Sequence, residues 1–190
     1  MELFKDYIRG RSTVTEKELD LIAASAQVKK LRKRQYLLQE GDVWKFNAFV
    51  LKGCFRTYSV DNNGNEHIIQ FAIENWWPGD RASYDSGEPS VYNIEAIEDS
   101  EVILIAKSRF EQLRKEIPAL NDMVNELLHR SFIVTQGRIH TFISLSAEEK
   151  YKQFVDKYPQ LATRVPQNMI ASYLGITPET LSRIRSRKGT

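Results

Sequence analysis

The sequence predicts an α+β chain in three parts: an N-terminal antiparallel roll of short strands, one long helix, and a C-terminal all-α unit built on a helix-turn-helix. Three observations carry this prediction. Turn signals recur about every ten residues between Gln35 and Ala106, as in a compact roll. Apolar residues keep helical spacing for about 25 residues after Pro118. A glycine turn then separates two short apolar-faced segments between Pro166 and Arg185. The expected boundaries are 1–117 for the roll, 118–144 for the long helix and 145–190 for the helix-turn-helix unit.

The first thirty residues read as helical. Phe4, Ile8, Leu19, Ile22 and Ala23 recur at helical spacing, and Thr15 followed by Glu18 has the form of a capping box. Lys29 to Arg34 is a basic run whose ordinary reading is a solvated surface. Strands follow, punctuated by Glu40-Gly41-Asp42, Gly53, Pro78-Gly79-Asp80 and Ser86-Gly87-Glu88-Pro89. Asn63-Gly64 lies between Phe55–Val60 and Glu66–Phe71 and signals a hairpin, because both residues tolerate positive φ. Val91–Ile97 and Glu101–Ala106 supply two more strands.

Pro118 can open the long helix as its first residue. Leu120, Val124, Leu127, Ser131 and Val134 then repeat at the four-three spacing of a coiled-coil seam. Leu128, Phe132, Ile139 and Phe142 widen the apolar stripe, and one edge of it is expected to pack on the strand domain. Such a helix spans roughly 37 Å and predicts a homodimer through 118–144.

The most specific local signal runs from Pro166 to Arg185. Ile170, Ala171 and Leu174 form one helical face, with Ala171 small where two helices cross. Gly175 supplies the tight turn, Ile176 plugs the space beneath it, Thr177 caps the second helix and Pro178 fits its first position. Leu181 and Ile184 close the core. The opposite face offers Glu179, Thr180, Arg183 and Arg187, with Arg185 and Ser186 alongside. Arginine can bond guanine in two places and glutamate can accept from cytosine N4, so this helix suits the major groove of duplex DNA. Positive charge also gathers here. From Leu161 onward Arg164, Arg183, Arg185, Arg187 and Lys188 face a single acid, Glu179, although the whole chain carries only +2.

Composition narrows the alternatives. Hydrophobic residues make up 42% and charged residues 27%, a globular balance. There is no apolar stretch long enough to span a membrane and no signal-peptide layout at the N-terminus, so a cytoplasmic protein is expected. The one cysteine, Cys54, excludes an internal disulfide and reads as a small buried hydrophobe. His67, His129 and His140 are far apart and no catalytic or metal motif is present, so an enzyme is not expected. Trp76 and Trp77 read as packing residues near the end of the roll.

Taken with Gly41, Leu51-Lys52-Gly53, Pro78-Gly79-Asp80 and Ile170–Ile184, the arrangement resembles the CRP/FNR family of bacterial transcription regulators. The resemblance implies a cyclic-nucleotide-binding-like roll, a dimerisation helix and a DNA-binding helix-turn-helix. It implies double-stranded DNA and a second copy of the chain as partners, with RNA polymerase a further candidate and no membrane. The expected DNA-contacting set is Gln167, Thr177, Glu179, Thr180, Arg183, Arg185 and Arg187, of which Glu179 and Arg183 match base-contacting positions of the family. The expected effector set is Gly79, Asp80, Arg81, Ala82, Ser90 and Val91.

Three departures qualify the resemblance. Pro178 stands where the family often has a base-reading arginine. The phosphate-binding arginine of cyclic-nucleotide members falls at about Ser90, and no arginine lies between Arg81 and Arg109. No cofactor is therefore assigned; a small-molecule effector is open, and a cyclic nucleotide is disfavoured. Finally, the family's β-hairpin wing has no counterpart before Thr190, which leaves its phosphate contacts to Arg185, Arg187 and Lys188. The competing reading is a ligand-sensing or protein-interaction module whose shortened C-terminus no longer binds DNA specifically.

Overall fold

The computed structural model describes residues 1–188, the last of them by its backbone alone. Two short helices open the chain, α1 (Glu2–Arg9) and α2 (Glu16–Ala24). The predicted capping box forms at α2: the Thr15 hydroxyl accepts from Glu18 N at 3.3 Å and the Glu18 carboxylate accepts from Thr15 N at 2.8 Å. Strands β1 (Gln27–Leu31), β2 (Tyr36–Leu38), β3 (Phe46–Lys52), β4 (Phe55–Val60) and β5 (Glu66–Ala72) follow, then α3 (Arg81–Ser86), β6 (Asn93–Ala96) and β7 (Ser100–Ala106). The helical remainder comprises α4 (Lys107–Glu116), α5 (Pro118–Ser144), α6 (Ala147–Lys157), α7 (Pro159–Arg164), α8 (Gln167–Leu174) and α9 (Pro178–Lys188).

All strand pairings are antiparallel and make two sheets, ordered β1-β7-β3 and β2-β6-β4-β5. The hairpin at Asn63-Gly64 joins β4 to β5, with Val60 opposite Glu66. Side chains alternate along each strand, so each sheet has two faces to cover. Leu38, Ala48, Val50, Phe55, Ile94 and Val102 fill the space between the sheets. Phe49, Ile103 and Ile105 point the other way, into Phe4, Ile8, Leu19, Ile22 and Leu113 of the helices. The second sheet turns Tyr58, Ile68 and Phe71 outward, and the C-terminal unit covers them with Phe154, Leu161, Ile170, Ala171 and Leu174. The roll is thus sandwiched between helices on both sides.

Helix α5 begins at Pro118 and ends at Ser144, as the sequence predicts. The predicted seam, however, divides: its first positions lie on the roll, while Ser131 and Val134 stay exposed. Leu120 and Val124 are buried against the chain's own roll with Met123, and Leu127 packs partly on the same core. Phe132, Ile139 and Phe142, expected to help pack on the strands, are 60%, 55% and 55% exposed. The reason is geometric: α5 follows directly on α4, so its first turns must lie on the α4–sheet core, and the later turns project past the roll. The exposed half of the helix, not the Leu120–Val124 half, offers an unpartnered seam. The basic run Lys29–Arg34 lies along β1 and the turn after it, solvent-facing except for Leu31.

Polar contacts fix the C-terminal unit on the second sheet. Arg164, at the end of α7, donates to Glu74 Oε2 at 2.8 Å and Oε1 at 3.1 Å, and also to Glu98. Glu74 accepts in addition from Gly53 N at 2.8 Å. Burial raises the pKa of Glu74, but the bonds from Arg164 and the backbone outweigh it and hold the carboxyl below its ordinary range. Cys54 is fully buried nearby and burial pushes its thiol up to about 12, so it packs as a hydrophobe rather than acting as a thiolate. Among the described residues, no helix is long and apolar enough to cross a membrane.

Two stability predictions follow from this packing. Phe49 is fully buried against Phe4, Tyr7 and Trp77, with ring centroids 4.9–5.2 Å away. Phe49→Ala should cost about 3–5 kcal/mol in urea unfolding. A depressed carboxylate pKa stabilises the fold above the unfolded pKa, and that stabilisation disappears as pH falls through the folded value. Glu74→Gln should therefore lose about 1 kcal/mol at neutral pH. That deficit should vanish in acid, well below pH ~4; unfolding curves at both pH values check it.

Candidate nucleic-acid interface and effector groove

The helix-turn-helix is built by backbone chemistry before any function enters. Helix α8 ends at Gly175, whose φ of +65° is the left-handed conformation that glycine adopts at little cost. Gly175 N donates to Ser172 O at 3.1 Å and Ile176 N to Ala171 O at 3.0 Å, closing the end of the helix. A side chain at 175 would also collide with the Phe142 ring of α5. The Thr177 hydroxyl accepts from Thr180 N at 3.2 Å and caps α9, which Pro178 opens. Ile170, Ala171, Leu174, Leu181 and Ile184 are all buried, as the spacing predicts.

This core leaves one face of α9 to solvent. Glu179, Arg183, Arg185 and Arg187 are exposed there and Thr180 is half-buried. The Arg183 guanidinium donates to the Thr180 hydroxyl at 3.2 Å, which holds the tip of the side chain along α9. Backbone and Thr177 hydrogen bonds lower the Glu179 pKa, so the residue is an ionised acceptor in the first turn. Gln167 sits in the first turn of α8 with its amide oxygen buried and unpartnered. The Lys188 side chain, expected among the phosphate contacts, lies outside the described residues.

The roll presents a second site with different chemistry. Asp80 caps α3, its Oδ1 accepting from Ala82 N at 3.0 Å and Ser83 N at 3.3 Å. Its Oδ2 accepts from the Ser90 hydroxyl at 2.7 Å. Asp80 and Ser90 are only 6% and 3% exposed, so both carboxylate oxygens are used inside the protein. Gly79 lies against Trp44, where an added Cβ would sit 2.8 Å from the indole nitrogen. Arg81 turns away from Asp80, donating to Asp85 at 2.7 Å with its guanidinium 5.2 Å from the Tyr84 ring. Val91 and Ala82 face solvent. The residues expected as an effector set are thus near one another, but none offers an unpaired cation to a buried phosphate.

Beside them a groove of about 670 Å³ runs between roll and α5, walled by Trp44, Trp76, Trp77 and Tyr84 on one side and Leu127 and Ser131 on the other. Trp76 and Trp77 are half-buried, so they serve both packing and groove wall. The Trp77 indole nitrogen is buried without a partner. The Tyr84 hydroxyl accepts from Asn47 at 2.7 Å and donates to Glu111 at 3.0 Å; burial pushes its pKa up to about 12. His67 pairs with Asp61 in the β4–β5 hairpin at 3.1 Å. Among the described residues, no cluster of His, Cys, Asp and Glu is arranged to hold a metal ion.

These elements make an antiparallel roll joined by a long helix to a capped helix-turn-helix. Comparison with known proteins agrees. The family model for the cyclic nucleotide-binding domain matches residues 28–116. The chain is 27% identical over 191 residues to the anaerobic regulatory protein of Pasteurella multocida, covering 92% of this chain and 68% of that protein. It is also 27% identical over 172 residues to the transcriptional activator protein Anr of Pseudomonas aeruginosa, covering 83% and 68%. Its fold matches FixK2 from Bradyrhizobium japonicum with a TM-score of 0.75 at 21% identity, covering 85% of this chain and 83% of that one. The Thermus thermophilus catabolite activator protein shares the fold at a TM-score of 0.58 and 17% identity, covering 93% and 84%. Over most of its length the chain is thus similar to bacterial regulatory proteins, and residues 28–116 match the cyclic nucleotide-binding domain.

Sequence reasoning found the cap, turn and exposed face of α9. It counted Arg164 with the C-terminal positive charge, whereas Arg164 is spent on Glu74 and Glu98, and it missed Arg138 and Ser172; all three tie the unit to the roll. The available signal was an arginine at 138 inside an otherwise apolar stripe of α5. Since Gly175 combines positive φ with contact against Phe142, Gly175→Ala should destabilise the C-terminal unit by more than about 1 kcal/mol. Loss of protection in α8 and α9 by hydrogen exchange, ahead of the roll strands, would register it.

Proposed function

We propose that the chain binds duplex DNA as a two-fold dimer, with α9 in the major groove. The observation that carries the reading is the pairing of a fully buried apolar face on α9 with an exposed face bearing ionised Glu179 and Arg183. Arg183 is the residue for a base edge, and Arg185 and Arg187 are for backbone phosphates. Gln167 and Thr177, at the starts of α8 and α9, stand where helix N-termini approach the phosphate backbone. Pro178 has no side-chain donor, so the operator differs from one read by an arginine at that position.

Dimerisation rests on the exposed half of α5. Phe132, Ile139 and Ile143, at 60%, 55% and 77% exposure, are apolar residues that a second copy of the helix would cover. Two-fold symmetry then sets half-sites about one turn, ~34 Å, apart. This reading makes the cytoplasm the working compartment and RNA polymerase a partner of the DNA-bound dimer, with no catalytic step of the protein's own.

The effector, where one acts, is not a cyclic nucleotide. A cyclic phosphate needs a cation or free donors at the end of the roll, whereas Ser90 is already bonded to Asp80 and Arg81 to Asp85. The missing charge-assisted contact is worth roughly 1.5–3 kcal/mol. Calorimetric titration with cyclic AMP and cyclic GMP should give no binding in the micromolar range; a micromolar constant would refute this part.

The DNA reading is tested by fluorescence polarisation against genomic duplex fragments. Wild type should select among fragments, and Arg183→Ala should lose about ten- to a hundredfold on the selected ones, equivalent to roughly 1–3 kcal/mol. Equal, weak binding to every fragment, unchanged in Arg183→Ala, would favour a sensing or protein-interaction module instead.

A further inference from the structure

The helix-turn-helix unit meets the roll at an open sheet edge, and two side chains close that edge. Among the described residues, strand β5 is the last strand of its sheet. The outward backbone groups of such a strand need partners. Ser172, on α8, supplies two: its hydroxyl accepts from Ile68 N at 3.0 Å and donates to Glu66 O at 3.0 Å. Arg138, on α5, supplies partners for two carbonyls. One guanidinium nitrogen donates to Ile69 O; another donates to Ile68 O at 3.3 Å and to Tyr173 O at 3.1 Å. Its Cζ also stands 4.0 Å from the Tyr173 ring centroid. One side chain therefore bonds three elements at once: the long helix, the roll edge and the last turn of α8, where a cation is favoured by the helix dipole.

We infer that Arg138 and Ser172 form a clasp that holds the helix-turn-helix unit on the roll in a resting arrangement, and that movement of α5 releases it. The inference rests on the DNA-binding reading of α9. Two observations make the clasped arrangement one that can be released. Gln167, in the first turn of α8, has its amide oxygen buried without a partner, an arrangement that costs free energy and is relieved if α8 moves. The stretch of α5 that carries Arg138 is also the stretch whose outer side is unpartnered: Phe132 and Ile139 are exposed, while Phe142 is braced against Gly175 of the docked unit. Pairing of α5 with a second copy, or filling of the groove beside Leu127 and Ser131, acts on the helix that holds the clasp. Either event opens the clasp to the extent that it binds the released arrangement more tightly than the docked one.

The experiment uses the full chain and three variants, Ser172→Ala, Arg138→Ala and Arg138→Lys, the last keeping the charge but losing the forked donors. Hydrogen exchange at Ile68 and its β5 neighbours should quicken at least tenfold in the two alanine variants and partly in Arg138→Lys. Exchange at Ile103 and Ile105, in the core of the other sheet, should stay unchanged, which excludes general unfolding. The same variants should bind a selected DNA fragment several-fold more tightly than wild type. Unchanged β5 exchange overturns the clasp. Faster exchange with equal or weaker DNA binding overturns its resting character. If neither wild type nor any variant distinguishes DNA fragments, the DNA-binding reading fails and the resting state with it, while the exchange data still decide the clasp.

Discussion

The β2-β6-β4-β5 sheet has two apolar faces, and the chain must cover both. The roll interior takes one. The other, with Tyr58, Ile68 and Phe71, is covered by the helix-turn-helix unit itself through Phe154, Leu161, Ile170, Ala171 and Leu174. Burying these side chains removes large apolar areas from water at roughly 25 cal/mol per Å². The consequence is that α9 takes its orientation from the roll, not only from the helix that connects the two. A change on the roll or along α5 thereby has a physical route to the exposed face of α9.

The same economy of covered groups shapes the sensor end. A buried carboxylate must be paired or hydrogen-bonded, and Asp80 satisfies that need with two backbone amides and one serine hydroxyl. A neutral donor suffices because the α3 N-terminus already favours negative charge there. The roll therefore closes on itself at this end, with no free cation among the described residues of the Asp80–Ser90 cluster. What stays open is the aromatic groove against α5, whose position makes it a lever on the helix whatever occupies it.

Much of this was legible in the sequence because it is local. The Asn63-Gly64 hairpin, the Thr15 box, Pro118 at the head of α5, and the Gly175 turn with its Thr177 cap depend on φ preferences and nearby hydrogen bonds. The division of α5 was not legible. Periodicity identifies an apolar face but cannot say whether the chain's own roll or another helix covers it, and Leu120 and Val124 went to the roll. Asp80 and Ser90 were recognised as the altered effector positions, yet their mutual hydrogen bond joins residues whose meeting depends on the closed roll. The direction of Arg81 was open in the sequence and is settled by its i,i+4 partner Asp85. Arg138, Ser172 and Arg164 act across 35 to 106 positions of chain, beyond any spacing rule.

An exposed seam on α5 together with an exposed, charged face on α9 implies sequence-specific recognition of DNA by a two-fold pair. Selection of binding sites from a random duplex library with the wild-type chain, followed by sequencing, tests that claim most directly. The account predicts an inverted repeat whose half-sites lie about one helical turn apart. A single unrepeated motif would contradict the dimer, and no enriched sequence at all would contradict specific DNA recognition by α9.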